Sequence, residues 1–179
     1  GGEPIQGYAR RALESCRAVE KTSRHAREMR MIVNKRSEIT SVNLESAIQS
    51  AVRNVRAEFP DGQLEVDIGD VPTVTAHREL QTAFDHLIRN GFEHNHSNSP
   101  RVEVSVRQNN KNIHVRVADN GPGIDPYELN VIDEHAESSL EHGSGAGLWI
   151  VDRVVQYSEA ALTFDTGPGT TATITFSDR

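Results

Sequence analysis

The chain has 179 residues and a formal net charge of −7 with neutral histidines, which is enough for one domain with an appendage and too short for two full-sized domains. Apolar residues make up 36% and charged residues 25% of the sequence, a balance typical of a globular protein with a foldable core. The excess of acids argues against a general nucleic-acid clamp, which needs a basic face. The longest aliphatic or aromatic run, 148–151, is far shorter than the roughly 20 residues of a membrane-spanning helix. We therefore expect this segment to contact neither nucleic acid nor a membrane.

The cysteine content predicts the compartment. The single cysteine, Cys16, can form neither an intramolecular disulfide nor a metal cluster. No signal-peptide pattern opens the chain. Both observations favour a reducing, cytoplasmic location.

The N-terminal part of the chain predicts a long helix with a weak apolar face. Residues 1–8 contain three glycines and a proline and are interpreted as a flexible lead-in. From about Tyr8 to Arg36 there is neither proline nor glycine. Small and partly polar residues recur there at helical spacing: Ala9, Ala12, Cys16, Val19, Ser23, Ala26, Arg30 and Val33. Such a face needs a partner helix to bury it, so the segment is interpreted as half of a hairpin or a dimer stalk.

Two further helices and two short strands follow. Asn43 is a suitable N-cap for a helix that ends near Phe59. Its apolar stripe is strong: Leu44, Ala47, Ile48, Ala51, Val52 and Val55. Alternation predicts strands over 64–68 and 71–75, and the next helix is predicted from about Arg78 to Glu93.

The second half of the chain predicts a hairpin and a closing α/β segment. Alternating apolar residues on either side of Asn109 and Asn110 pair naturally as two antiparallel strands: Val102, Val104 and Val106 with Ile113, Val115 and Val117. A helix is predicted from Leu148 to Tyr157, with strands over 161–165 and 170–176. About 20 mostly polar residues separate the hairpin from this helix, and a stretch of that length in a domain is usually functional.

Three motifs stand out in order. Asn90 closes the helical segment 86–90, an acid-glycine loop occupies 119–123, and the glycine run 143–147 opens a helix. Each has a plain structural explanation, as a helix cap, a turn and a hinge. Their chemistry nevertheless fits one ligand, because a carboxylate at a strand end accepts a hydrogen bond from a purine amino group, a helix N-terminus binds phosphates, and an amide oxygen suits Mg²⁺.

Together the three motifs resemble the N, G1 and G2 boxes of the GHKL ATPase superfamily, and within it the catalytic ATP-binding domain of sensor histidine kinases. The resemblance covers residues 42–177. It implies an α/β fold of the Bergerat type, a two-layer sandwich of a mixed sheet and three helices, with a lid at 125–142. Residues 1–41 then resemble the second helix and linker of a dimerisation and phosphoacceptor hairpin, and 42–179 the catalytic domain. The wording of 142–149 is most similar to kinases of halophilic archaea.

The resemblance also implies site residues and two cofactors, ATP and Mg²⁺. Asn90 is expected to hold the metal, and His86 to position or deprotonate a group near the γ-phosphate; alternatively, His86 merely packs on its helix. The residues expected to contact the nucleotide are Asn90, Asn95, Asp119, Gly121, Gly123, Ile124, Gly143, Gly145, Gly147, Leu148 and Thr170.

The sequence departs from the family pattern at several positions. Gly91 replaces an alanine, at a cost of about 1 kcal/mol in helix stability unless the helix ends there. Glu93 stands where many relatives have a basic phosphate ligand, and either Arg89 or His142 is a candidate to compensate. Ala146 replaces a common leucine, and the lid lacks the usual phenylalanine pair.

The phosphoacceptor box of a histidine kinase is missing from this sequence. The one histidine of the long helix, His25, is followed by Ala26 and Arg27 instead of an acid, and it is interpreted as a solvated helix position. We therefore expect a kinase domain that transfers the γ-phosphate of MgATP to a histidine outside this chain, on the phosphoacceptor helix of the same kinase. The implied partners are a response-regulator receiver domain and a second copy bound through the stalk. A degenerate nucleotide-binding and dimerisation module is the alternative, and a serine kinase of the anti-sigma type is disfavoured by the stalk.

Overall fold

The computed structural model describes residues 3–69, 71–109, 111–124 and 145–177. The described helices are α1 (Glu3–Asn34), α2 (Leu44–Glu58), α3 (Leu80–Glu93) and α4 (Ala146–Tyr157). The described strands are β1 (Ile39–Asn43), β2 (Gln63–Ile68), β3 (Thr73–His77), β4 (Arg101–Gln108), β5 (Asn112–Asp119), β6 (Ala161–Gly167) and β7 (Gly169–Ser177).

The main sheet is mixed and has the order β2-β4-β5-β7-β6. Its β2 and β4 are parallel, whereas the other neighbours are antiparallel. Along β5 and β7 buried residues alternate with more exposed ones, as expected when one face of a sheet packs on helices. Helices α2, α3 and α4 cover that face and share one hydrophobic core with it. The predicted two-layer α/β sandwich is confirmed.

Local patterning explains the predicted elements. The Asn43 side chain caps α2, because its Oδ1 accepts a hydrogen bond from the Ser46 amide at 2.8 Å. The whole predicted stripe of α2 is buried, and Phe84 on α3 is completely buried. The predicted hairpin of β4 and β5 forms, but its register is shifted by two residues from the one that a turn at 109–110 gives: Val104 lies opposite Val117, and Val102 lies opposite Asp119. The spacing of apolar and polar residues, together with the Asn43 cap of α2, therefore accounts for these elements of the core.

Strand β1 was not predicted. The end of the segment 1–41 was expected to be a linker, whereas Ile39–Asn43 pairs antiparallel with Thr73–His77 in a separate two-stranded sheet. Only one residue of β1, Val42, is even partly buried, so no alternation of apolar and polar residues marks it in the sequence.

Helix α1 differs from its prediction in two ways. It begins at Glu3 rather than near Tyr8, with Pro4 in the first turn, where a missing N–H costs nothing. Its predicted face is exposed throughout, Val19 to 70%. A different and largely polar face packs on the domain near the end of the helix: Lys21, Arg24, His25, Glu28, Met29 and Ile32. The helices in the described part of the chain contain no apolar stretch of the length that a membrane crossing requires.

Candidate nucleotide-binding site

Asp119 ends β5 and is the anchor of the site. Its Oδ1 accepts hydrogen bonds from the backbone amides of Gly121, at 2.8 Å, and of Thr170, at 3.3 Å. Within the described part of the chain its Oδ2 has no hydrogen-bond partner. One carboxylate oxygen thus fixes the side chain, and the other is free to accept a hydrogen bond from a ligand.

Two glycines near Asp119 have a backbone conformation that favours glycine, and one of them passes close to the Asp119 main chain. Gly169, at the start of β7, has a φ of 111°, and a Cβ there would overlap the backbone carbonyl of Asp119. Gly123 has a φ of 90°. Both lie in the region that side chains of L-residues disfavour, so the sequence pattern of this loop reflects a backbone requirement.

Helix α3 lies tightly against the same strand end. A Cβ on Gly91 would lie 2.7 Å from a Val102 methyl carbon and 3.2 Å from Cβ of Asp119. Gly91 was expected to lower the stability of the helix. In the structure its missing side chain allows α3 to approach the sheet. This approach brings the preceding residue, Asn90, to the mouth of the pocket.

Asn90 faces the start of α4. Its Oδ1 lies 3.8 Å from the position that a Cβ on Gly147 would occupy. Gly145 takes the N-cap position of α4 and provides no side-chain cap. The amide groups of the first turn are thus left for another partner, which is what an anion needs at a helix N-terminus.

Asn95 connects the end of α3 to the loop 119–123 through hydrogen bonds. Its Nδ2 donates to the Gly91 carbonyl at 3.2 Å and to Oδ1 of Asn120 at 2.8 Å. Asn120 in turn donates from Nδ2 to the Ser99 carbonyl and accepts from the Arg101 amide. Sequence reasoning missed Asn120, although its place directly after the key acid was a usable signal.

One pocket collects most of the predicted residues that the structure describes. Those lining it are Asn90, Asn95, Asp119, Gly121, Gly123, Ile124, Leu148 and Thr170. Leu87, Val117 and Ala172 give it an apolar floor. Gly143, His142 and the predicted lid lie outside the described residues. A pocket with an apolar floor and a few convergent polar groups is the usual form of a small-molecule site.

His86 does not line that pocket. It is 2% exposed, and its Nε2 lies 2.9 Å from Oε2 of Glu28 on α1. Its Nδ1 lies 3.2 Å from the position of a Cβ on Gly147. The ring therefore stands between the stalk helix and the start of α4, and its expected role at the γ-phosphate stays a prediction.

His25 is buried beside His86, so its predicted solvated position is wrong. It is 5% exposed, and the two rings meet edge to face with centroids 5.2 Å apart. Burial and then the neighbouring His86 lower the pKa of His25 to about 4. Burial raises the pKa of Glu28, but the hydrogen bond to His86 and the charges of the neighbouring histidines and Arg24 together outweigh burial, so that this pKa lies below its ordinary value.

Glu93 forms an ion pair with the N-terminal helix α1. Its Oε2 lies 2.7 Å from Nζ of Lys21. Burial raises the pKa of Glu93, and the hydrogen bond and charge of Lys21 more than offset this, so that the pKa lies below its ordinary value. Nε of Arg89 likewise lies 3.0 Å from Oε2 of Glu58. Arg89, one of the two candidates for the missing basic phosphate contact, is therefore already in an ion pair.

Comparison with known proteins agrees with this architecture. Residues 75–179 match the family described as histidine kinase-, DNA gyrase B- and HSP90-like ATPases. The solved structure of a mycobacterial sensor histidine kinase, MprB, has 27% sequence identity and a TM-score of 0.66, covering 79% of this chain and 98% of that one.

Curated relatives are much longer than this chain. The phytochrome-like protein Cph1 of Synechocystis is 25% identical over 146 residues, which are 79% of this chain and 20% of the relative. The sensor-like histidine kinase SenX3 of Mycobacterium bovis is 28% identical over 151 residues, 78% of this chain and 36% of the relative. The chain thus spans about a fifth to a third of these proteins.

Proposed function

The chain belongs to the family of histidine kinase-, DNA gyrase B- and HSP90-like ATPases, as the ATP-binding catalytic domain of a sensor histidine kinase, and on that premise we propose that it transfers the γ-phosphate of MgATP to a histidine outside this chain. The observation that carries the proposal is the convergence of Asp119, Asn90 and the uncapped start of α4 on one pocket and its rim.

The adenine end of ATP belongs at Asp119. The free Oδ2 accepts a hydrogen bond from the exocyclic amino group of the base, and the apolar floor packs against the ring. Guanine carries a carbonyl at the corresponding position, which the carboxylate would repel. Thr170 and Asn95 border the pocket as further polar contacts, so the site favours adenine.

The phosphates belong between Asn90 and α4. The unpaired amides at the start of α4 and its positive dipole end stabilise negative charge. Asn90 is half-buried, and within the described residues its side chain makes no hydrogen bond. A neutral amide oxygen beside the phosphates fits Mg²⁺, which keeps several waters and takes its remaining oxygens from a nucleotide. When bound, Mg²⁺ would neutralise charge on the transferred group.

The exposed part of the stalk helix α1 is the proposed surface for binding partners. The residues of α1 from 7 to 20 are exposed on every side, including Tyr8, Leu13 and Val19. Burial of this surface against a second copy and against the phosphoacceptor helix would form a four-helix arrangement. The phosphoryl group would then pass to the receiver domain of a response regulator in a cytoplasmic two-component phosphorelay. The similarity of 142–149 to kinases of halophilic archaea stays a prediction.

Phosphotransfer in trans tests the proposal. The chain is mixed with the complete two-helix hairpin of the same kinase, MgATP labelled at the γ-phosphate is added, and acid-labile phosphohistidine is measured. We expect labelling of the hairpin that depends on this chain and is lost in Asn90→Ala. The matched control is Asn98→Ala, an exposed residue outside the pocket, which should leave transfer unchanged.

The same experiment separates the alternative. A degenerate module would bind ATP but label no histidine. The acid at position 93, paired with Lys21, favours that alternative because many relatives have a basic phosphate ligand there. Tight ATP binding without any transfer to the hairpin would therefore contradict the kinase proposal. Labelling of serine would favour a kinase of the anti-sigma type.

A further inference from the structure

The nucleotide pocket leaves one cluster of polar side chains without a role. His25 and Glu28 occupy adjacent positions one turn apart on α1, and His86 faces them from α3. One ligand atom from each side chain can be chosen so that all three atoms lie within 4.8 Å of one another. The cluster therefore joins the stalk helix to the domain.

His25 is the unexplained member. It is 5% exposed, and among the described residues no hydrogen bond to either of its ring nitrogens is found. Neither ring nitrogen is among the fully buried polar atoms that lack a partner in the described part of the chain, so both nitrogens are accessible to a water or an ion. The edge of His86 contacts the ring, but that contact leaves the hydrogen-bonding capacity of the imidazole unused.

We propose that His25, Glu28 and His86 form a binding site for a divalent transition-metal ion, with Zn²⁺ as the first candidate. Two imidazoles and one carboxylate are a known three-residue ligand set for zinc, with water in the fourth position. The spacing of three residues between His25 and Glu28 places both on one face of a helix. The site is distinct from the Mg²⁺ position at Asn90, since it uses nitrogen ligands that suit zinc better than magnesium.

The distances suit such an ion. With bonds of about 2.0–2.1 Å, the ligand atoms of a tetrahedral zinc site lie about 3.3 Å apart. Nε2 of His86 and Oε2 of Glu28 are now 2.9 Å apart, as a hydrogen bond. Because the three ligand atoms now lie within 4.8 Å of one another, an ion would require this pair to separate by a few tenths of an ångström and His25 to turn toward it.

The surrounding charges allow a cation. Lys21 and Arg89 are nearby but are paired with Glu93 and Glu58. Arg24 also acts on His25 and Glu28 and opposes a cation, whereas the negative charge of the Glu28 carboxylate favours one. The ion would clamp the last turns of α1 onto α3 and hold His86 beside Gly147.

Metal titration of the whole chain tests this proposal. The background carries Cys16→Ser, because the exposed Cys16 thiol is a competing zinc ligand. Metal-free protein is titrated calorimetrically with Zn²⁺, and with Co²⁺ while the visible absorption of the ion is recorded. We expect one ion per chain and a Co²⁺ spectrum with nitrogen ligands in low coordination number. No nucleotide is present, so failure here leaves the ATP proposal intact.

Matched variants locate the ion. His25→Ala and Glu28→Gln should each lower the affinity by more than about 100-fold, the upper end of the loss expected for a mere outer-shell partner. Glu28→Gln is nearly isosteric and can still hydrogen-bond to His86, so it controls for loss of folding. His96→Ala, an exposed histidine outside the cluster, should bind the ion as the parent does. The absence of binding at millimolar ion, or affinity unchanged in both cluster variants, would overturn the proposal.

Discussion

The nucleotide pocket and the stalk are built from opposite kinds of contact. The pocket stands on a core of α2, α3, α4 and the main sheet, whose buried side chains are mostly apolar. The stalk helix is exposed over residues 7–20, and its last turns meet the domain through four charged or histidine side chains as well as through Met29 and Ile32, which join the core. Burial of apolar area is cooperative and insensitive to pH, whereas paired charges depend on protonation and on ions. We therefore expect the domain to stay folded under conditions that weaken its attachment to the stalk.

The largest expected effect is on the core. Phe84→Ala removes a completely buried ring from α3, and we expect it to lower the free energy of unfolding by about 3–5 kcal/mol. Val19→Ala, on the exposed part of the stalk, should change it by less than about 0.5 kcal/mol. Urea unfolding followed by circular dichroism measures both. Similar losses in the two variants would break the distinction between core and stalk.

A smaller effect is expected at the backbone of the pocket. Gly169→Ala introduces a Cβ that collides with the Asp119 carbonyl at a φ of 111°. We expect a loss of about 1–3 kcal/mol in stability from backbone strain, together with weaker ATP binding because the strand end must move. Gly167→Ala is the control, since a Cβ there would have open space around it. Thermal unfolding and calorimetric ATP titration give the two readouts, and equal behaviour of the two glycines would refute the role assigned to the close approach.

The smallest effect is expected where the stalk meets the domain. The pKa of Glu93 lies below its ordinary value, so this group stabilises the fold above its ordinary pKa and the contribution disappears as the pH falls through the lowered one. Lys21→Met removes the main cause. The pKa of Glu93 should then rise, and the unfolding free energy at neutral pH should fall by about 1 kcal/mol or less.

Carboxyl NMR titration of Glu93 provides the measurement for that prediction. Lys111→Met, at an exposed position in the turn between β4 and β5, is the matched control and should leave the Glu93 pKa unchanged. An unchanged Glu93 pKa in Lys21→Met would show that the ion pair does not attach the stalk in solution.

The sequence predicted those parts of the molecule in which one pattern dominates. The apolar stripe of α2 and the alternating apolar residues of β4 and β5 indicate directly which side chains are buried. A helix or strand with one apolar face can bury that face in only one way. Asp119 and the glycines around it were predictable for a related reason. A side chain at position 169 would collide with the Asp119 carbonyl. The backbone geometry of the site therefore determines which residue type can occupy this position.

The stalk interface was not predictable by the same reasoning. A search for apolar periodicity selects the face with Ala12, Val19 and Val33, yet the structure packs the domain against the face with His25 and Glu28. Polar residues become buried only when a specific partner is present, and that partner, His86, is about 60 residues away in sequence. Strand β1 escaped prediction because it buries almost nothing.

The most direct test of the central claim is the affinity of the chain for MgATP with and without the Asp119 carboxylate. Calorimetric titration should give one ATP per chain, binding of GTP should be weaker, and Asp119→Asn should lower the ATP affinity between about 10- and 150-fold, the equivalent of one hydrogen bond to a charged group. Asp165→Asn, an exposed acid on β6, should bind as the parent does. Equal ATP affinity of Asp119→Asn and the parent chain would contradict the placement of adenine at this carboxylate.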